Sequence, residues 1–152
     1  FNYRMTNLQA AIGCAQIKKI HKIIKKKRLI AEYYKQYLGK TSQVNLPVEE
    51  EYAKHVYWVY HITIKNINKT FRNKLMIKLR KKGIETRETF IPYDLQKKFV
   101  KEKKVKFKIC PIADKISEQG FYLPSGYELN KKDIKYISKT LIDLLKENES
   151  KN

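Results

Sequence analysis

Apolar residues along the chain fall into long stretches of helical period and a few short, dense runs. Ile12, Ala15, Ile20, Ile23, Ile24, Ile30, Tyr34 and Leu38 recur at the three-to-four-residue interval of one helix face. Between positions 8 and 38 there is no proline, and Gly13 is the sole glycine. Just before them, Thr6-Asn7-Leu8-Gln9 has the form of a capping box. The threonine hydroxyl accepts from the backbone three residues on, and the glutamine side chain reaches back. The pattern predicts one continuous helix over 8–38, about 31 residues and roughly 46 Å long, ended by a left-handed Gly39. Such a length suits a spine that joins two domains or crosses a subunit boundary.

After Pro47 and the acidic Glu49-Glu50-Glu51 the pattern changes. Positions 56–64, Val-Tyr-Trp-Val-Tyr-His-Ile-Thr-Ile, are dense in β-branched and aromatic residues and predict a strand. Helical period returns over 68–82 through Phe71, Leu75, Ile77 and Leu79, stopping at Gly83. Positions 84–90 predict a second strand, closed by Ile91-Pro92. In the lysine-dense stretch 97–108, Val100, Val105 and Phe107 are too sparse to define an element. Pro111 begins a short helix that runs through Ser117 and is terminated by Gly120. Phe121-Tyr122-Leu123 is extended, and Asn130 caps a last helix with Ile134, Ile137, Leu141, Leu144 and Leu145 on one face. Few strands interleaved with helices predict an α+β fold, a small, mainly antiparallel sheet with flanking helices. The chain divides into 1–40, a loop and long helix, and 41–152, a small α+β domain.

Composition narrows the functional classes. With 152 residues, 42% of them hydrophobic, the chain has a core's worth of apolar side chains and is not wholly disordered. No apolar run approaches the ~18 residues of a membrane span, so an integral membrane protein is not expected. Cys14 and Cys110 make no disulfide framework, and a cytoplasmic setting is expected. The net charge of +19 is the outlier and suggests a nucleic-acid or polyanion partner. Yet only five of the 34 basic residues are arginine, whose planar fork is the better reader of phosphates and bases. Lysine filling exposed positions is the plainer account, and a basic binding module is kept as an alternative. The chain begins Phe1-Asn2-Tyr3 without a signal sequence, and it is expected to start inside a longer polypeptide.

Residue types alone complete no catalytic constellation. His21, His55 and His61 are not at metal-ligand spacing with one another or with either cysteine, so no metal site is expected. The five glycines form no phosphate loop. Asn2 and Arg4, in a loop feeding a capped helix, can bind an anion at the helix N-terminus. Arg4 pairing with a surface carboxylate is an equally good account.

The same segment carries a resemblance. Phe1-Asn2-Tyr3-Arg4-Met5-Thr6-Asn7-Leu8-Gln9-Ala10-Ala11-Ile12-Gly13 resembles the N-Y-R-M-T/S-x-x-Q-A-A-I-G segment of the DegT/DnrJ/EryC1/StrS family of pyridoxal-phosphate-dependent nucleotide-sugar aminotransferases. The likeness continues, in order, through His55-Val56-Tyr57-Trp58, Gly83-Ile84-Glu85-Thr86-Arg87, Pro92-Tyr93-Asp94-Leu95-Gln96, Cys110-Pro111-Ile112-Ala113 and Leu123-Pro124-Ser125-Gly126. It covers essentially the whole chain and looks most like the branch that makes 4-amino sugars.

The resemblance implies the small C-terminal domain of a fold-type I enzyme, together with the helix that leads into it. The family's cofactor lysine, the carboxylate partner of the pyridine nitrogen and the ring-stacking aromatic then lie upstream, and no lysine here is nominated for that role. Asn2 would reach the cofactor phosphate of the other subunit in a homodimer, with Arg4 beside the same shared site. Arg87 and Tyr93 would border the substrate. Asp94 stands where the family usually has histidine, and a carboxylate there would repel a diphosphate. The implied activity is transfer of an amino group from glutamate to a nucleotide-linked keto sugar in polysaccharide biosynthesis, with the fragment inactive alone. A related sugar dehydratase using the same cofactor is the alternative within this fold.

Overall fold

The computed structural model describes residues 2–102 and 110–149. Its first helix opens as the capping box predicts: Thr6 Oγ1 accepts from the Gln9 N–H at 3.3 Å, and Gln9 Oε1 accepts from the Thr6 N–H at 2.9 Å. It does not continue to Leu38. It is divided into α1 (Asn7–Ile17) and α2 (Ile20–Leu38), with the chain tightened between them, where the Lys19 N–H bonds to Gln16 O at 3.0 Å. Neither Lys18 nor Lys19 is a helix breaker, so residue type carried no sign of the interruption. Burial differs across it: no residue of α1 is buried, while Ile30, Ala31, Tyr34 and Leu38 of α2 are. Gly39 has φ −65°, so α2 ends without the expected left-handed residue.

Among the described residues four short strands follow: β1 (Val44–Asn45), β2 (Tyr60–Ile64), β3 (Arg87–Glu88) and β4 (Gly120–Leu123). They form one sheet in the order β1-β2-β4-β3 with every neighbouring pair antiparallel. Both predicted strands are shorter than the apolar runs suggested. The run 56–64 pairs only from Tyr60, because Tyr57 has φ 48° and breaks the pleat. The run 84–90 contributes two paired residues at the sheet edge.

Helix α3 (Lys69–Lys81) matches its sequence signals closely. Asn68 Oδ1 accepts from the Phe71 N–H at 2.9 Å at its start. At its end Gly83 takes φ 75°, the Gly83 N–H reaches Arg80 O and the Ile84 N–H reaches Leu79 O. This is the Schellman pattern, here sealed by burial of both Leu79 and Ile84. A single turn at Tyr93–Leu95 and the short α4 (Lys97–Lys101) come next; Val105 and Phe107 lie outside the described residues. Helix α5 (Pro111–Gln119) runs two residues past the expected Ser117 and stops at Gly120. Helix α6 (Lys131–Glu149) is capped by Asn130 Oδ1, which accepts from the Lys132 and Asp133 N–H groups at 2.8 and 3.2 Å.

The core lies on one face of the sheet. Tyr60, Ile62, Ile64, Phe121 and Leu123 share a buried cluster with Ile30, Tyr34 and Leu38 of α2, Leu75 and Leu79 of α3, and Ile134, Leu141 and Leu145 of α6. The second half of α2 is therefore rooted in the same core as the strands. The other face, carrying His61, Thr63 and Tyr122, is only half-buried. The α+β architecture is as read from the sequence, with α2, α3 and α6 packed on one side of a small antiparallel sheet. Among the described residues no helix is long and apolar enough to cross a membrane.

Candidate functional site

Two basic side chains on α2 gather the loops at one end of the molecule. The Lys27 ammonium donates to Trp58 O at 3.0 Å and to Ser125 O at 2.5 Å, joining the His-Val-Tyr-Trp and Leu-Pro-Ser-Gly segments. Its burial among uncharged groups lowers its pKa. Next to it, Arg28 grips Glu49 through two parallel bonds of 2.7 and 3.0 Å, and its Nη1 also donates to His55 O. Glu49 in turn accepts from the His55 N–H at 2.9 Å. Hydrogen bonding from Arg28, then from the His55 backbone, depresses the Glu49 carboxyl to about 2. The left-handed Tyr57 is held by its own N–H donating to His55 Nδ1 at 2.8 Å and by ring stacking on His55 at 4.0 Å. Strain at a non-glycine residue is thus matched by a local network that fixes it.

Arg87 lies on the edge strand β3. In β3 it stands across from Tyr122 and lines an open cleft of about 720 Å³ with Glu85, Thr86, Tyr122, Asp133 and Tyr136. On the half-buried face beside it, His61 Nε2 and Thr89 Oγ1 are 2.7 Å apart, and burial lowers the His61 pKa, so the ring is neutral at neutral pH. Gly120 makes that arrangement possible: a Cβ there would collide with His61 Nε2, Thr89 Oγ1 and Ile116 O. Cleft and latch are assembled from β2, β3, β4 and the start of α6.

The other nominated residues are elsewhere. Asn2 and Arg4 sit on the exposed arm before α1, where the backbone N–H and Nε–H of Arg4 both donate to Asn2 Oδ1 at 3.1 and 3.3 Å. Of the two accounts of Arg4, no carboxylate partner is found for it among the described residues. Tyr93, more than half exposed, begins the turn after β3 and does not line the Arg87 cleft. The side chain of Asp94 lies outside the described residues. Among the described residues no cluster of His, Cys, Asp or Glu is arranged to hold a metal ion.

Comparison with known proteins decides the kinship. Residues 1–142 match the DegT/DnrJ/EryC1/StrS aminotransferase family. The chain belongs to this family. A GDP-perosamine synthase of Vibrio cholerae is 37% identical over 138 residues, covering 90% of this chain and 36% of that protein. The GDP-perosamine synthase of Escherichia coli O157:H7 is 33% identical over 93% of this chain and again 36% of the relative. The chain thus spans about a third of the length of these curated relatives. Among solved structures, the apo form of the putative sugar aminotransferase Spr1654 from Streptococcus pneumoniae superposes with a TM-score of 0.87 at 19% identity, over 98% of this chain and 38% of its own. That likeness establishes a shared fold.

Within the family segment, the roles of four residues escaped sequence reasoning: Lys27, the Arg28–Glu49 pair and Arg72. Arg72, on α3, is 1% exposed and donates to Ser117 O, Gly120 O, Asn73 Oδ1 and Glu88 Oε2. A signal existed. Arg72 falls at helical spacing with Leu75 and Leu79, and Lys27 falls in the stripe with Ile23, Ile30 and Tyr34. A basic residue on an apolar stripe either snorkels outward or finds buried acceptors, and only the fold tells which.

Proposed function

We propose that this chain is the C-terminal portion of a pyridoxal-phosphate-dependent aminotransferase that moves an amino group from glutamate to a nucleotide-linked keto sugar. The observation that carries the reading is the match of residues 1–142 to the family, with GDP-perosamine synthases among its relatives. Residues 1–40 act as the arm and connecting helix, with the second half of α2 embedded in the small domain of 41–152. The working enzyme is a cytoplasmic homodimer whose sites draw on both subunits. The exposed apolar side chains of α1, among them Leu8 and Ile12, give that arm surface to bury against the rest of such an assembly.

The donor set on the arm suits a cofactor phosphate. Arg4 occupies Asn2 Oδ1 as an acceptor, which leaves the Asn2 amide nitrogen and the Arg4 guanidinium as donors to an anion. Bound pyridoxal phosphate supplies the electron sink for amino transfer. The residues of this chain bind and orient: Asn2 and Arg4 hold phosphate from the arm, Arg87 contacts the sugar nucleotide from the sheet edge, and Tyr93 contacts it from the turn after β3. No lysine here matches the family's cofactor lysine, so the chain alone is expected to be inactive.

The test is a chimaera in which this chain replaces the matching 138-residue segment of the Vibrio cholerae relative. Glutamate-dependent amination of a GDP-linked keto sugar, weakened by Arg87→Gln, is expected. A chimaera that folds and retains the cofactor yet removes a sugar hydroxyl rather than adding an amine favours the dehydratase alternative. One that folds, retains the cofactor and turns over neither way overturns the reading.

A further inference from the structure

Strand β3 poses a problem of register. It has two paired residues, Arg87 and Glu88, both charged and both exposed. Sheet register is ordinarily set by the burial of one face, and a slip of one residue exchanges the faces. Here burial does not discriminate, since neither side chain is apolar. The observed pairing sets Arg87 opposite Tyr122 and Glu88 opposite Phe121. Directly opposed residues share a face, so Glu88 shares the helix-covered face with buried Phe121 and Ile62. Arg87 shares the other with Tyr122 and His61.

Two polar contacts fix this choice, one on each side. On the helix-covered side, Arg72 Nη2 donates to Glu88 Oε2 at 3.0 Å. The remaining donors of that guanidinium are also taken: Nη1 by Ser117 O at 2.6 Å and Gly120 O at 3.4 Å, Nε and Nη2 by Asn73 Oδ1 at 3.0 and 2.7 Å. A planar, fully engaged and buried fork cannot turn to follow a slipping strand. On the opposite side Thr89 is latched to His61.

We infer that Arg72 is a positioning residue for Arg87: by holding Glu88 on the helix-covered face, it presents Arg87 to the cleft as an anion-binding group. The inference rests on the proposed role of Arg87 in substrate binding. Arg72 touches no ligand itself.

Glu88→Gln is the discriminating variant, because Arg72 keeps its carbonyl acceptors and the chain stays folded. By charge alone, removing a carboxylate beside Arg87 tightens an anion. Loss of positioning loosens it. With GDP as the probe and this chain at low ionic strength, calorimetry is expected to give an affinity about tenfold weaker in Glu88→Gln, with partial rescue in Glu88→Asp. In an Arg87→Gln background the Glu88→Gln effect should vanish, and amide exchange should accelerate at 86–89 without change in α6. Unchanged or tighter GDP binding in Glu88→Gln, while Arg87→Gln weakens it, overturns the positioning role. If the unsubstituted chain binds no GDP, or Arg87→Gln leaves binding intact, the ligand role of Arg87 fails and the positioning role with it. Exchange at 86–89 then reports separately whether Arg72 still locks the strand.

Discussion

The ionisation of Glu49 is coupled to local structure. The carboxylate joins Arg28 on α2 to the backbone of His55, and its pKa falls from the ordinary 4.5 to about 2. A depressed carboxyl favours the folded state above its unfolded pKa and loses that contribution as pH falls through the folded value. The loop carrying Trp58, the single tryptophan, should therefore loosen between about pH 4.5 and 2. Indole emission followed in acid titration checks this, and Glu49→Gln should be loosened at neutral pH and lack that acid step. Gly120 is the second sensitive residue. Its absent Cβ is room for His61, Thr89 and the end of α5, so Gly120→Ala should cost about 1–3 kcal/mol in denaturant unfolding. An alanine tolerated there without loss would show that the His61–Thr89 contact can shift aside.

At the scale of elements, the helices differ in what sustains them. Helix α3 is capped at both ends and buries Leu75 and Leu79, whereas α1 has an equally complete N-terminal cap and buries nothing. A short helix without tertiary packing is marginal in water. Removing each cap should thus have different consequences. Asn68→Ala is expected to lower global stability by about 1 kcal/mol. Thr6→Ala should reduce helical ellipticity and leave the unfolding midpoint where it is. Equal shifts of the midpoint would mean that α1 is coupled to the core. The same contrast accounts for the split at Lys18 and Lys19: periodicity is local and continues across them, but packing begins only beyond. It accounts for the strands too. The run 56–64 is β-rich throughout, yet Arg28, Glu49 and His55 hold Tyr57 in a left-handed conformation, so pairing starts three residues later.

For the whole molecule, charge is the dominant feature. A net +19 on 152 residues repels itself, and salt screens that repulsion. Raising ionic strength from about 10 to 150 mM should increase the thermal midpoint by roughly 2–5 °C. Retention on a nucleic-acid column should disappear over the same range. Retention persisting above physiological salt, with a slope equal to several phosphate contacts, would instead support the basic binding module.

What the sequence by itself determined is what is local. The caps at Thr6 and Asn130, the glycine stop at Gly83, the α5 stop at Gly120 and the α+β class follow from side-chain chemistry and apolar spacing within a few residues. The family motif places Asn2 and Arg4 beside one another on an arm, and their mutual hydrogen bonds span two residues. Only the tertiary structure decided which residues meet across the chain. It inserts β4 between β2 and β3, brings Trp58 and Ser125 to one lysine, and sets Arg87 in a cleft apart from Asn2, Arg4 and Tyr93. It also turns Arg72 inward rather than out to solvent. The physical reason is that a buried polar group must find partners wherever the packed fold supplies them, at separations of 16 to 48 residues for Arg72, over which residue spacing carries no information.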